Sequence, residues 1–142
     1  MIIVGRNSAM SKMKVLVMEP TKTPYVKEIS HDLHEMQEIV GGFIEPIYFE
    51  PKNDAIVYCN EEFLLHDFAP NRFVGDVLVH GTFFVVGNTR NDEGEWESCS
   101  LTDEQIANYT EKFWAYLVPL EKMLQQNEEE CEESEDIGLS QN

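Results

Sequence analysis

The alternation of hydrophobic and polar positions in the first third of the chain predicts two strands and a helix. Residues 14–18 are almost continuously apolar and stop at a Glu-Pro pair, which indicates a buried strand. Residues 25–29 alternate between apolar and polar, so we expect a half-buried strand that pairs with the first as a hairpin. Apolar residues then recur at helical spacing over 33–40, between a predicted N-cap at Ser30 and a stop at Gly41.

The middle of the chain predicts further strands. The apolar runs 43–49 and 55–59 are separated by a Pro, an Asn and an Asp, which favours a second antiparallel hairpin. The mixed composition of residues 60–76 is typical of a loop. Residues 77–86 predict one long strand, in which Gly81 marks a bulge or a close approach by another backbone.

The clearest prediction is a second helix. Residues 88–98 are polar and acidic and indicate an exposed loop before it. Thr102 and Gln105 then have the spacing of a capping box, and apolar residues follow every three or four positions. Because Pro119 cannot donate a helical hydrogen bond, we expect the helix to begin at Asp103 and to kink or end near Val118.

These elements predict one α+β domain over residues 13–124, with a mainly antiparallel sheet of about five strands and two helices packed on it. Residues 1–12 lack periodicity, and their apolar stretch is too short for a signal peptide, so we interpret them as a leader or extension. Residues 125–142 are expected to be a disordered acidic tail, because the segment 128–136 holds seven acids and no base.

The excess of acidic residues limits the classes of partner that the protein can bind. The chain has 27 Asp and Glu against 10 Lys and Arg, a formal net charge of −17. This charge would repel a phosphate backbone and an anionic membrane, so we expect neither direct nucleic-acid binding nor membrane association. It suits a protein partner with a basic surface. The three cysteines, Cys59, Cys99 and Cys131, are odd in number and widely spaced, which favours a reducing, cytoplasmic location over a disulfide framework.

The chain carries no recognisable catalytic or metal-binding signature, which favours a non-enzymatic protein without a cofactor. His31 and His34 are spaced so that they face one way, but the further ligands of a zinc site are missing. His80 lies in a predicted strand and is expected to be hydrogen-bonded structure. Arg72 is expected to have a structural salt-bridge partner, with anion recognition as the alternative.

A second function class stays open beside the binding protein. Polar residues flank the predicted strands and loops, a common place for sites, and their convergence would make a small-molecule or anion site, or a modest enzyme. The residues are Asn60, Glu61, Asn71, Arg72 and Thr82.

Six short segments carry a resemblance to a known family. They are residues 14–20, 40–45, 59–62, 70–72, 81–87 and 100–105. In this order they resemble the small proteins grouped as domain of unknown function 3846, over about residues 13–116. The resemblance implies a small accessory protein of the kind often carried by phages, prophages and conjugative elements, and it brings no activity.

The leading hypothesis is therefore a non-enzymatic acidic binding protein of a phage or mobile element. Its acidic surface would engage a host or counter-defence target that has a basic face. A homodimer is compatible with either function class, and its interface would be an exposed aromatic face. The aromatic residues of that face would be Phe63, Phe68, Phe73, Trp96 and Trp114.

Overall fold

One antiparallel sheet lies between two covering layers. A computed structural model describes residues 12–118, and this part contains eight strands and two helices. The strands are β1 Lys12–Met18, β2 Tyr25–Ser30, β3 Ile44–Ile47, β4 Ala55–Asn60, β5 Pro70–Val74, β6 Val77–His80, β7 Phe83–Arg90 and β8 Trp96–Cys99. The helices are α1 Leu33–Val40 and α2 Asp103–Lys112.

The main sheet has six strands. Five run in the order β2-β1-β7-β4-β3, and every neighbouring pair is antiparallel. β8 pairs with the end of β7. Because Gly87 of β7 pairs with both Ala55 of β4 and Cys99 of β8, β4 and β8 lie on opposite edges of β7. The strands β5 and β6 form a separate two-stranded ribbon. The predicted α+β class is confirmed, with more strands than expected.

The two central strands, β1 and β7, are buried on both faces. Alternate side chains of one strand enter different cores, so Val15 faces α1 whereas Leu16 faces α2. The core under α1 consists of Met13, Val15, Val17, Ile29, Met36, Val40, Phe84 and Val86. The core under α2 and the ribbon consists of Leu16, Met18, Ala55, Val57, Cys59, Val74, Val79, Phe83, Val85, Leu101, Tyr109 and Phe113.

The elements with strong local patterns follow the sequence. Both predicted hairpins, β1–β2 and β3–β4, are confirmed. Helix α1 stops at Gly41, whose φ of 79° is the left-handed conformation that glycine adopts most readily. Its N-cap is Asp32 and not Ser30, because the Asp32 Oδ1 accepts a hydrogen bond from the His34 N–H at 3.0 Å.

Two strand predictions are wrong. The segment 60–76 is not all loop, since it contains β5, in which two polar residues point into the protein. The segment 77–86 is not one strand but two strands of different sheets, β6 and β7. The break is Gly81, which has a φ of 82° and would place a Cβ atom 2.7 Å from the Phe68 ring.

The acidic stretch 88–98 is a hairpin and not an exposed loop. β7 continues to Arg90, and β8 begins at Trp96. Asn91 closes the turn, because its Oδ1 accepts the backbone N–H groups of Glu93 and Glu95, each at 2.9 Å.

Helix α2 begins as predicted and ends earlier. Thr102 and Gln105 form the reciprocal capping box. The helix stops at Lys112, because the carbonyl of Phe113 accepts a hydrogen bond from Arg72 and the N–H of Leu117 donates to the Asn71 carbonyl at 2.9 Å. These tertiary contacts fix the chain before it reaches Pro119, which lies outside the described residues.

The predicted leader and tail lie outside the described residues, except for Lys12, which begins β1. The proposed domain limits of 13–124 therefore stay a prediction. Between residues 12 and 118, neither helix is long and apolar enough to cross a membrane.

Candidate functional site

The residues singled out from the sequence gather at one end of the sheet. β1 ends there at Met18, β4 ends at Asn60, and β7 begins at Phe83. The register of the three strands places these ends side by side. Three polar side chains in this region are buried, namely Asn60, Asn71 and Arg72. The hydrogen bonds of each side chain show whether it holds the fold together or is free to bind a ligand.

Asn71 joins two segments that are distant in sequence. Its Nδ2 donates to the carbonyl of Met18 at 2.9 Å and to the carbonyl of Gly81 at 2.8 Å. Its Oδ1 accepts from Nε of Arg72 at 3.0 Å. The amide is therefore fully engaged, and it ties the ribbon to the end of β1.

Arg72 extends this network to the loop after β1 and to the end of α2. Its guanidinium donates to the carbonyls of Phe113, Lys22 and Glu19. Burial lowers the pKa of Arg72 to about 10, so it stays charged near neutral pH. Its charge also lies 5.5 Å from the centroid of the Tyr116 ring.

The prediction that Arg72 forms a salt bridge is wrong for the part of the chain that the structure describes. Within residues 12–118, no carboxylate oxygen lies within 4.0 Å of the Arg72 nitrogens. Backbone carbonyls and the Asn71 side chain take the place of the carboxylate. The guanidinium can meet four acceptors at once because its donors point outward in a fixed plane. Arg72 and Asn71 therefore act as one structural unit.

Asn60 and Glu61 are not part of the Asn71–Arg72 network. The Asn60 Nδ2 donates to the Val40 carbonyl at 3.1 Å and so closes the end of α1, while its Oδ1 accepts from the Glu62 N–H at 2.7 Å. A Cβ atom at Gly42 would lie 2.7 Å from the Asn60 Nδ2, so a larger residue there would displace the Asn60 amide. Glu61 has an exposed side chain, and its N–H donates to the Phe43 carbonyl at 2.8 Å.

Thr82 lies at the surface and outside the network, whereas Arg72 also borders a small cleft of about 240 Å³ with Tyr116 and Leu117. Thr82 lines a shallow cleft of about 440 Å³ between the end of α1 and the segment 67–69, beside Glu38 and Asp67. The structure thus brings Asn71 and Arg72 into one network, uses Asn60 to hold a helix, and leaves Glu61 and Thr82 outside that network. Binding of a small molecule or anion at this end stays a prediction.

The histidines and cysteines were the other candidates for chemistry. His80 Nδ1 lies 3.2 Å from the Phe68 carbonyl, and its ring stacks on Phe63, so the expected structural role is confirmed. Burial raises the pKa of the Cys59 thiol to about 11, and burial and Glu97 raise the pKa of Cys99 as well. Among residues 12–118, no three His, Cys, Asp or Glu side chains are placed to hold one metal ion.

The five aromatic residues assigned to a dimer face do not form one surface. Phe63 packs against the core beneath α2. Trp96 lies on the opposite face of the sheet, where it lines a cleft with Ile56 and Tyr58. A homodimer stays a prediction, but it does not have this interface.

The cleft beside Trp96 is the second place of interest. It has a volume of about 490 Å³ and lies on the α1 face of the sheet, next to the β7–β8 hairpin. Three of its eight lining residues are aromatic, and most of the others are polar. They are Tyr48, Asn53, Ile56, Tyr58, Asn88, Trp96, Glu97 and Ser98.

Sequence reasoning missed this cleft because it took residues 88–98 for a loop. The segment carries a turn signal, Asn-Asp-Glu-Gly, flanked by residues that alternate in character. As a hairpin, it pairs Asn88 with Ser98 and Arg90 with Trp96, and it places these side chains on one face.

Residues 13–114 match the family model described as Domain of unknown function (DUF3846). The chain belongs to the DUF3846 family. No curated protein and no solved structure matches the chain. The polar residues in the segments that resembled the family include Asn60, Asn71 and Arg72, and in this DUF3846 protein their side-chain bonds join separate elements of the fold.

Proposed function

We propose that this DUF3846 protein is a non-enzymatic acidic binding protein that engages a basic surface of a protein partner in the cytoplasm. We further propose that it belongs to a phage or mobile element and has a counter-defence role. The phage and counter-defence roles are supported by the resemblance to small accessory proteins that phages and conjugative elements often carry.

The observation that supports the proposal is a large excess of unpaired surface carboxylates. Residues 12–118 contain 19 Asp and Glu but 8 Lys and Arg, a formal net charge of −11. None of these acidic side chains is buried, whereas one of the bases, Arg72, is. In this part of the chain, lysine pairs with two carboxylates, Lys14 with Asp103 and Lys22 with Glu19. Glu35 and Glu50 accept hydrogen bonds from the Ser30 N–H and the Tyr109 hydroxyl, and Glu38 lies 4.0 Å from His34. Most of the other carboxylates are exposed and stay available to a partner.

Unpaired carboxylates favour binding to a basic surface for two reasons. They produce a negative potential that steers a positively charged partner towards the protein and disfavours partners of like charge. They also weaken the compact state slightly through mutual repulsion, which a basic partner would relieve. The folded part carries enough charge for this effect without residues 119–142.

Capture from a host-cell extract tests the proposal. Full-length tagged protein is expected to retain one or a few proteins with a basic surface at low salt and to release them as salt shortens the range of the interaction. Mass spectrometry of the eluate would identify the retained proteins and their charge.

Two variants with opposite charge changes make the test specific. Neutralising four exposed acids should reduce the captured amount by about tenfold. Neutralising four bases should leave it equal or raise it. The acid variant is Glu28→Gln, Glu61→Gln, Asp92→Asn and Glu104→Gln, and the base variant is Lys12→Gln, Lys27→Gln, Lys52→Gln and Lys112→Gln. Equal capture by both variants, or retention that salt does not change, would contradict the proposal.

A further inference from the structure

The cleft beside Trp96 combines aromatic rings with an unused hydrogen-bond acceptor. Tyr48 and Trp96 are 65% and 47% exposed, so much of each ring is open to solvent. Ile56 and Tyr58 of β4 lie between them on the sheet. Aromatic faces of this kind attract planar or positively charged groups.

The acceptor belongs to Asn88. This residue is 8% exposed, and its Nδ2 donates to the Asn53 carbonyl at 2.8 Å. That bond fixes the orientation of the amide, because only the nitrogen can donate to a carbonyl. Its Oδ1 accepts no hydrogen bond from residues 12–118. Since no fully enclosed side-chain N or O in this part lacks a partner, the oxygen keeps contact with solvent at the cleft that Asn88 lines.

The charge around the cleft is negative. Glu95 and Glu97 flank Trp96 in sequence, and the turn of the same hairpin adds Asp92 and Glu93. Of the eight lining residues, Glu97 is the acidic one, and none is a Lys or Arg. The site is therefore unfavourable for phosphate and favourable for a cation.

The side chain of Arg90 already makes a cation–π contact with the Trp96 ring. The guanidinium of Arg90 lies 4.7 Å from the centroid of the Trp96 ring. Arg90 is exposed and is not among the residues that line the cleft. Trp96 thus binds a guanidinium within its own hairpin, and the cleft offers a second aromatic residue, Tyr48, together with the free oxygen of Asn88.

We propose that this cleft binds the guanidinium or ammonium group of an arginine or lysine side chain presented by the basic partner. This inference rests on the proposed function and names where the partner docks. A guanidinium satisfies every feature of the site, because its face stacks on an aromatic ring while its edge donates to an amide oxygen. The open cleft admits one such side chain from a protein surface.

Nuclear magnetic resonance of the full chain with a short peptide tests the site directly. The probe is an acetylated and amidated Gly-Arg-Gly peptide, and its control carries citrulline, a neutral analogue of arginine with nearly the same shape. The chain has two tryptophans, so Trp114 on the α2 side serves as an internal control. We expect the arginine peptide to shift the Trp96 indole signal at low salt, and the citrulline peptide to leave it unchanged.

Matched variants separate local from general charge effects. Glu95→Gln with Glu97→Gln should weaken the peptide about fivefold, whereas Glu28→Gln with Glu61→Gln should change its affinity less than about twofold. Both variants remove two charges from exposed residues. Tyr48→Ala should also weaken the peptide about threefold or more, because one aromatic face is lost. Circular dichroism would verify that each variant is folded.

Several results would overturn the inference. They are equal shifts with the arginine and citrulline peptides, a shift at Trp114 alone, and no shift at Trp96 up to about 20 mM peptide. A Trp96 shift with a neutral trisaccharide at the same concentration would identify a sugar site instead. If the Trp96 signal does not respond to the peptide while capture stays salt-sensitive, the inference about the cleft fails and the proposed function stands. If the Trp96 signal responds but no protein is captured, the proposed function fails and the cleft still binds a cationic side chain.

Discussion

At the scale of single residues, the buried polar side chains act mainly by joining distant parts of the backbone. Arg72 and Asn71 together reach carbonyl groups after β1, before β7 and at the end of α2. A buried guanidinium without a carboxylate is stable here because four of its five N–H donors meet an oxygen. Recognition of an anion by Arg72 would therefore compete with these bonds.

Replacing Arg72 should therefore destabilise the fold strongly. Arg72→Met keeps much of the side-chain volume but leaves the buried Phe113 carbonyl, two part-buried carbonyls and the Asn71 Oδ1 without this donor, so we expect the free energy of unfolding to fall by about 3 kcal/mol. Urea unfolding followed by circular dichroism measures this change. Arg90→Met is the matched control, and its expected loss is about 1 kcal/mol or less, because Arg90 is exposed. Equal losses for the two variants would rule out the structural role of Arg72.

At the scale of elements, the close fit of β8 against β7 forms one wall of the aromatic cleft. β8 approaches Gly87 so closely that a Cβ atom there would lie 2.8 Å from the Cys99 carbonyl oxygen and 2.8 Å from the Ser100 carbonyl oxygen. Two backbone oxygens cannot move without displacing the strand. Glycine at position 87 thus permits the pairing that holds Trp96 in place.

Gly87→Ala should loosen this hairpin. We expect a loss of about 1–3 kcal/mol in stability, together with faster hydrogen exchange of the β8 amides, because overpacking displaces the backbone. Hydrogen-exchange mass spectrometry would locate the change. Thr89→Ala, at an exposed position of β7, is the control and should alter stability by about 0.5 kcal/mol. Normal protection of β8 in Gly87→Ala would show that the close approach is not required.

The sequence predicts those elements whose pattern is local. β1, β2, α1 and the start of α2 have clear periodicity or caps, and all four form where expected. β5 was missed because its buried residues include Asn71 and Arg72, which read as loop residues until their distant acceptors are known. The region 88–98 was missed because acidic composition outweighed its turn signal.

For the candidate site too, the sequence indicates the local features and not the long-range contacts. The sequence shows polar candidates that flank predicted strands and loops, and the structure places them near one end of the sheet. Their actual partners could not be predicted, because Asn71 bonds to Met18 and Arg72 bonds to Lys22, each about fifty positions away. The aromatic cleft requires three separate segments to meet, and no periodicity in the sequence specifies that meeting.

At the scale of the whole molecule, the fold and the charge pattern are largely independent. Apolar cores on both faces of one sheet hold the structure together, and the carboxylates lie outside them. The main stabilising contacts are therefore not made by the acids that would contact a partner. This separation lets surface charge be changed in experiments while the fold is kept.

The most direct test is the affinity of the purified protein for its captured partner at two salt concentrations. We expect the dissociation constant, measured by calorimetry, to rise tenfold or more between about 0.05 and about 0.5 M salt, because screening weakens contacts between opposite charges. A dissociation constant that is the same at both concentrations would contradict the claim that surface carboxylates bind the partner.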